Sequence, residues 1–391
     1  MGGGHAHLMA APVLARAVRA RAEIALVAPA EHLLYSGMMP GWIAGQYRFE
    51  DCAIHLKALC ERHGVRWIED LIVDIDFTAR VAIGARGRYH FDLASINVGS
   101  ANVLGEIGPD APLVLGAKPF AEFQSAWRER AAATAARGGG KAVVVGGGAA
   151  AVEIAFALRR AVPDATVTLA TAGTAVLQEI SPIAARLALR SLRARGVEVL
   201  FGHRYVGAAS GAVRFDALAP IAADLAIVAT GARPPPWLGE AGSRHSVSVA
   251  PDGGLAIRSD LRSVSHAAVF AAGDCATFVD RAVPKSGVHA LRQGPVLARN
   301  LALALGLERA AEPARARGPG ASRTAPGARP GRFVPRPWTL ALLNRCDGSA
   351  IGAWGPVGFA GRWAWRWKDR IDRRFMARFG QDPGAPVDSG R

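Results

Sequence analysis

Gly146-x-Gly148-x-x-Ala151 and Gly2-x-Gly4-x-x-His7 are the residues whose types and spacing first suggest chemistry. Between a strand and a helix, the first glycine of such a motif allows a tight turn. The second lets a diphosphate approach bare backbone, and the third small residue lets the helix pack close. The helix start that follows offers N–H groups and about half a positive charge. Both turns therefore predict cradles for nucleotide diphosphates. The second is the more complete, because His7 stands where the first should have a small residue. Neither is followed by the usual acidic ribose anchor: the next strands end in Val27-Ala28-Pro29 and in Ala170-Thr171. Glu153, on the helix after the second turn, is read either as facing a nicotinamide or as a surface glutamate. Lys285 is read as pairing with a cofactor or substrate charge or as solvated.

The elements that would position these residues follow from the pattern. Helices are predicted over 8–21, 51–63, 118–136, 149–161, 182–195 and 287–305, the last with Ser286 as its N-cap. Helix 118–136 is expected to close at Arg137-Gly138-Gly139-Gly140. Strands are predicted at 23–28, within 65–83, and at 91–99, 142–145, 167–170, 225–229, 269–272 and 338–343. A strand–glycine turn–helix–strand unit thus occurs twice, which implies parallel sheets and an α/β fold. A Rossmann unit needs a strand of about five residues before its first glycine, and only Met1 precedes Gly2. The expectation is a first sheet lacking its central strand, or a start codon placed too late. Residues 308–331, rich in Ala, Arg, Pro and Gly, read as a disordered insert, and the tail from Gly380 as frayed.

Composition removes several classes of function. Charged residues make up 20% of the 391 and hydrophobic residues 50%, so wholesale disorder is excluded. The net charge of +15 suggests nucleic acid until it is located. Residues 308–337 carry a net +5 and residues 361–379 another +5, on a linker and one helix without any reader motif. No nucleic-acid partner is expected. The four cysteines form no close pair, which excludes a zinc ribbon or a local dithiol. His5 and His7 lack partner ligands, so no metal is expected. No signal peptide or membrane span is evident, and a cytoplasmic location is expected.

With both glycine turns, the Thr230-Gly231 strand end and Gly273-Asp274 in order, residues 1–305 resemble the two-dinucleotide-binding flavoproteins. These are the pyridine nucleotide–disulfide oxidoreductase superfamily, with type II NADH dehydrogenases as close relatives. The stretches GGGHAH, YSGMMPGWIAG, KSGVHALRQGP and WRWKDRIDRRFM are similar to the flavoprotein module fused to selenide, water dikinase. The resemblance implies FAD on the Gly2 and Gly4 turn, with Asp274 on the ribityl or phosphate end. It places Val288 and His289 at the pyrimidine edge of the flavin, and Met38 and Pro40 near the ring. NAD(P)H would sit on Gly146 and Gly148, with its nicotinamide on the flavin. His289 is read as a structural contact or as a proton carrier, and Glu153 gains a catalytic reading.

The implied architecture is two Rossmann-like domains, the second inserted in the first. FAD would occupy 1–112 with 232–307, and NAD(P) 113–231, before the insert 308–331 and a C-terminal α+β segment 332–380. No redox cysteine pair follows the first unit, so the expected activity is hydride transfer from NAD(P)H to FAD and on to a quinone or other acceptor without a thiol relay. The alternative is a degenerate, non-catalytic partner of selenide, water dikinase. Residues 361–379 form a basic amphipathic helix, read either as a peripheral membrane contact or as packing its aromatics on the protein body.

Overall fold

Lys141–Val145 ends in an unbroken apolar run, and a strand that is apolar on both faces belongs at the centre of a covered parallel sheet. The computed structural model places it there. It describes residues 1–391 apart from 19–20, 132, 135–138, 308–328 and 381–391. In chain order the main elements begin with α1 (His5–Val18), β1 (Ala25–Ala28), β2 (Arg66–Glu69), β3 (Ala94–Ile96) and β4 (Leu113–Gly116). There follow β5 (Lys141–Val145), α2 (Ala149–Ala161), β6 (Thr166–Thr171), α3 (Pro182–Ala194), β7 (Val197–Phe201) and β8 (Leu225–Val228). The last are β9 (Val269–Ala271), α4 (Gly287–Ala304), β10 (Ala341–Asn344), β11 (Ala350–Trp354), β12 (Val357–Gly361) and α5 (Arg362–Met376). The chain divides into two compact units: Met1–Leu33, His55–Ser100 and Arg233–Pro335, and then Leu34–Ile54, Ala101–Ala232 and Arg336–Arg391.

In the first unit, β1 pairs in parallel with β2 and β3 with β9. The backbone of Met1 and Gly2 bridges the two pairs. The Met1 amine donates to Ser95 O at 2.7 Å, Asn97 N donates to Met1 O at 2.9 Å, and Gly2 N donates to Val27 O at 2.7 Å. Met1 and Gly2 therefore lie where a Rossmann sheet has its central strand. Helix α1 packs on α4. The crossing is close because position 294 is glycine: a Cβ there would lie 2.4 Å from Met9 Cβ and 2.7 Å from Ala6 O. Phe270, Ala271, Leu297 and Phe333 lie in the core of this unit.

In the second unit, five parallel strands run in the order β4–β8–β5–β6–β7. The chain reverses direction across the sheet between β5 and β8, as in doubly wound folds. The antiparallel sheet β10–β11–β12 leads into α5. Its turn is tied to the start of α3, where Ser181 Oγ donates to Pro356 O at 2.8 Å.

The structure adjusts some sequence expectations. The helix expected over 51–63 is split by a short strand, Ala53–His55, because His55 caps a new helix at Ala58 N. The helix expected over 118–136 is α-helical over Phe120–Ala126 and then widens to a π-turn at Trp127–Ala131. Its expected end at Arg137 and Gly138 lies outside the described residues, as do most of the insert and the tail from Gln381. The strand expected at 338–343 begins only at Ala341, past Pro335 and Pro337, which cannot donate to a ladder.

Candidate functional site

The second glycine turn is open. Gly146 has φ +135°, and a Cβ there would lie 2.7 Å from Ala229 O, so no side chain is tolerated. It would also meet Ala151 Cβ at 3.3 Å, which is the close helix packing that the third motif residue allows. Gly148 is the N-cap of α2, and no side chain caps the helix. A Cβ on Gly148 or on Gly231 would meet nothing within 4 Å. Among the described residues, the positive end of a 13-residue helix is thus left without a side-chain partner at its cap, which is the chemistry of an anion site. At the end of β6, Thr171 Oγ1 accepts from Gly173 N at 3.2 Å, where other dinucleotide folds carry an acid.

The first turn is built differently. Gly2 has φ +85°, and it and Gly4 both press on Asn97. Asn97 Oδ1 accepts from Ala6 N at 3.0 Å and from His7 N at 3.2 Å, capping α1 from another strand. His7 donates from Nδ1 to Gly2 O at 2.6 Å and accepts at Nε2 from Ser95 Oγ at 2.7 Å. Burial pushes it down to about 3, so it is a neutral brace for the turn. Beside it, Gly273 has φ +71° and donates its N–H to Gln293 Oε1 at 2.6 Å. Asp274 accepts from Ser100 Oγ at 2.9 Å.

Ser286 caps α4 as expected, accepting from His289 N at 3.3 Å. His289 Nδ1 faces Pro284 O at 3.0 Å, and a carbonyl can only accept, so Nδ1 carries the proton. Nε2 is then a bare acceptor, buried with no hydrogen-bond partner among the described residues. Burial also lowers the His289 pKa, which keeps the ring neutral near pH 7. An orphaned acceptor at a helix start suits a ligand that brings a donor, as the N3–H of a flavin does. Neighbouring Val288 is exposed. Lys285 is held by Asp252 at 2.6 Å, and Asp252 also accepts from Thr277 Oγ1 at 2.9 Å, so the solvated reading of Lys285 is replaced by an ion pair.

The second unit holds a polar cluster that the sequence reading missed. Glu153 is not a surface glutamate. It accepts from Asn344 N at 2.6 Å, and burial, opposed by Lys368, raises it to about 7. Lys368 is 4% exposed. Its Nζ donates to Asp372 Oδ2 and to Gly37 O, both at 2.6 Å. Burial pulls this lysine down, but Asp372 and then Glu153 hold it above its ordinary value. Tyr35 OH donates to Asp372 at 3.2 Å, and Tyr47 OH donates to Asp369 at 2.6 Å. Met38 and Pro40 lie in the same segment and are buried in this unit. The available signal was the i,i+4 spacing Lys368/Asp372 and Asp369/Arg373, which the aromatic pattern of the same helix obscured.

The aromatic stripe of that helix is split, with Phe375 and Phe379 buried in the unit and Trp363 and Trp367 outward. The inward face of α5 includes Ala364, Lys368, Asp372 and Phe375. Trp363 and Trp367, at 54% and 40% exposure, face outward with Ile371. Phe359 of β12 stacks on Trp363 at 4.8 Å, and Trp338, Trp354 and Val357 are exposed in the same unit. Among the described residues no helix is long and apolar enough to cross a membrane, and no cluster of three or more His, Cys, Asp or Glu residues could hold a metal.

Residues 1–294 match the family model of the pyridine nucleotide-disulphide oxidoreductases. The chain belongs to this family, and it is an oxidoreductase that uses FAD and NAD(P)H. No curated protein matches it. Among solved structures, it is similar to the sulfide:quinone oxidoreductase from Aquifex aeolicus, at 16% identity and TM-score 0.71, covering 99% of this chain and 92% of that one. The ferredoxin reductase for the CYP199A2 system from Rhodopseudomonas palustris matches at 18% identity and TM-score 0.70, covering 90% and 80%. The water-forming NADH oxidase from Lactobacillus brevis, bound to NADH, matches at 19% identity and TM-score 0.64, covering 90% and 74%. These likenesses establish the fold; the bare cap of α2 and the orphaned acceptor of His289 are the observations that suit bound cofactors.

Two outcomes follow from the geometry. Gly148→Asp supplies α2 with a cap at its open end, so stability should stay level or rise by a few tenths of a kcal/mol. The added charge should weaken ADP-ribose binding at least tenfold by calorimetry. Lys368→Met leaves Asp372 buried without its cation, and urea unfolding should show a loss of about 3–5 kcal/mol. The double variant Lys368→Met/Asp372→Leu should recover most of it.

Proposed function

We propose that the chain passes hydride from NAD(P)H to FAD and the electrons on to a small quinone-class acceptor, without a thiol relay. The observation that carries this is the pairing of two glycine-turn helix starts with four cysteines that are all buried. Burial pushes Cys60 and Cys275 up to about 11 and raises Cys52 and Cys346 further, so thiolates are disfavoured. Bound FAD supplies the electron carrier between a two-electron donor and the acceptor.

The protein's own part is binding, orientation and protons. Gly146, Gly148 and Ala151 present the start of α2 to the NAD(P)H diphosphate, with Gly231 leaving space beside it. Gly2 and Gly4 shape the FAD diphosphate turn, and Gly273 and Asp274 take the ribityl side. The start of α4 at Val288 would stabilise negative charge at the pyrimidine edge, and neutral His289 would accept from a donor there. Glu153 exchanges a proton near neutrality.

Membrane contact is part of the reading. The row Trp363, Trp367 and Ile371 faces water beside Arg362, Arg366 and Arg370. An exposed aromatic stripe next to a cationic one suits an anionic lipid surface, where quinones are dissolved. A selenide, water dikinase is the candidate protein partner, on motif resemblance.

The purified protein should carry or take up FAD, and anaerobic NADH or NADPH should bleach it. A colourless protein that binds no added FAD defeats the proposal. Glu153 is an acid below about pH 7 and a carboxylate above it, so quinone reduction should slow as pH rises through 7. Glu153→Gln should be slower at low pH and lose that step. Anionic vesicles should blue-shift the tryptophan emission, and Trp363→Ser/Trp367→Ser should bind them at least tenfold more weakly. Protection of these tryptophans by the kinase but not by vesicles would exclude the membrane reading.

A further inference from the structure

We infer that Asn97 is the positioning residue of the flavin diphosphate cradle, its single carboxamide holding both glycine turns of the first unit in register. The inference rests on reading Gly2, Gly4, Gly273 and Asp274 as the FAD site.

Asn97 follows β3 and is 2% exposed. Its backbone N–H donates to Met1 O at 2.9 Å, and its carbonyl accepts from Gly4 N at 3.2 Å. Its Oδ1 takes the amides of Ala6 and His7, and its Nδ2 donates to Ala272 O at 2.7 Å. The same residue thus fastens the first glycine turn, the start of α1, and the residue just before Gly273. Three residues on, Ser100 fastens Asp274.

The glycines make the case independently. A Cβ on Gly2 would lie 2.4 Å from Asn97 O, one on Gly4 2.3 Å from Asn97 Oδ1, and one on Gly273 2.5 Å from Asn97 Nδ2. These glycines come from two motifs far apart in sequence, and all three are pressed against one residue, Gly2 on its backbone and Gly4 and Gly273 on its carboxamide. Asn97 therefore fills the volume they leave, and the backbone of both turns is held to one reference point.

The chemistry makes asparagine specific. Oδ1 must accept twice while Nδ2 donates to a carbonyl, and only a carboxamide does both at this size. Aspartate has the same shape. Ionised, it sets an oxygen against Ala272 O and puts a negative charge beneath the diphosphate. Protonated, it regains a donor and loses the charge. Alanine leaves the Ala6 amide without its partner, and leaves His7 N only Gly4 O and Ala272 O only the weak Cys275 thiol.

The test compares FAD binding to apoprotein with ADP-ribose binding at the second turn, for wild type, Asn97→Asp and Asn97→Ala. Asn97→Asp should bind FAD at least tenfold more weakly at pH 8.5 and regain affinity by pH 6, a step absent from wild type. Asn97→Ala should be weak at both pH values. ADP-ribose affinity should stay within twofold throughout. Wild-type FAD affinity in Asn97→Asp at pH 8.5 would overturn the inference. So would an equal loss of ADP-ribose binding, because it would assign Asn97 to the fold as a whole. A wild-type protein that takes up no FAD would fail the underlying reading, and this inference with it.

Discussion

Every α-helix begins with backbone N–H groups that the helix itself cannot satisfy, and this protein settles that debt in three ways. At α2 the cap residue is glycine and no side chain reaches in. At α1 a carboxamide from another strand takes two of the amides. At α4 the local Ser286 does the same for one, and leaves a histidine acceptor beside it without a donor. The rest of the structure follows from keeping these helix starts in place: parallel strands deliver each turn, apolar faces bury the helices behind them, and small residues let backbone lie against backbone.

Much of this was legible in the sequence. Strand β5, the turn Gly146–Gly148 and helix α2 were readable to within one residue, because an apolar run, a glycine turn and an alanine-rich helix are each local signals. Ser286 and α4 were equally clear. The short strand at Ala53–His55 was not, because its cause is a histidine side chain capping the next helix. Asn97 was hidden for a different reason. Its partners Gly4, Ala6, His7 and Ala272 are distant in sequence, and no spacing rule links a strand end to two turns at once. Lys368 and Asp372 were visible as a pair, but their burial was not, because a helical wheel reports which residues share a face and not which face is covered.

The orientation of α5 is informative because it runs against packing energetics. Burying a lysine–aspartate pair is at best about neutral and costs up to about 4 kcal/mol against an apolar pair. Leaving Trp363 and Trp367 half in water forfeits roughly 1 kcal/mol each. Turning the helix by about a third of a turn would cover the tryptophans but uncover Phe375 and Met376. The bonds from Tyr35, Tyr47 and Gly37 hold it where it is. A sequence that keeps such an arrangement is specifying which face is presented to the surroundings.

Those same bonds bear on how the chain is made. Tyr35 and Asp372 are 337 positions apart, and Gly37 and Lys368 are 331 apart. Each compact unit is assembled from three separate stretches, the last of which reaches well past position 300. Contacts this distant are slow to form, because the loop must be closed before any contact rewards it. On a ribosome, neither unit has all its parts until position 335 or beyond has been made. The early stretches must wait with apolar surface uncovered, so the nascent protein is a natural client for holding chaperones, and domain-by-domain folding during translation is closed to it.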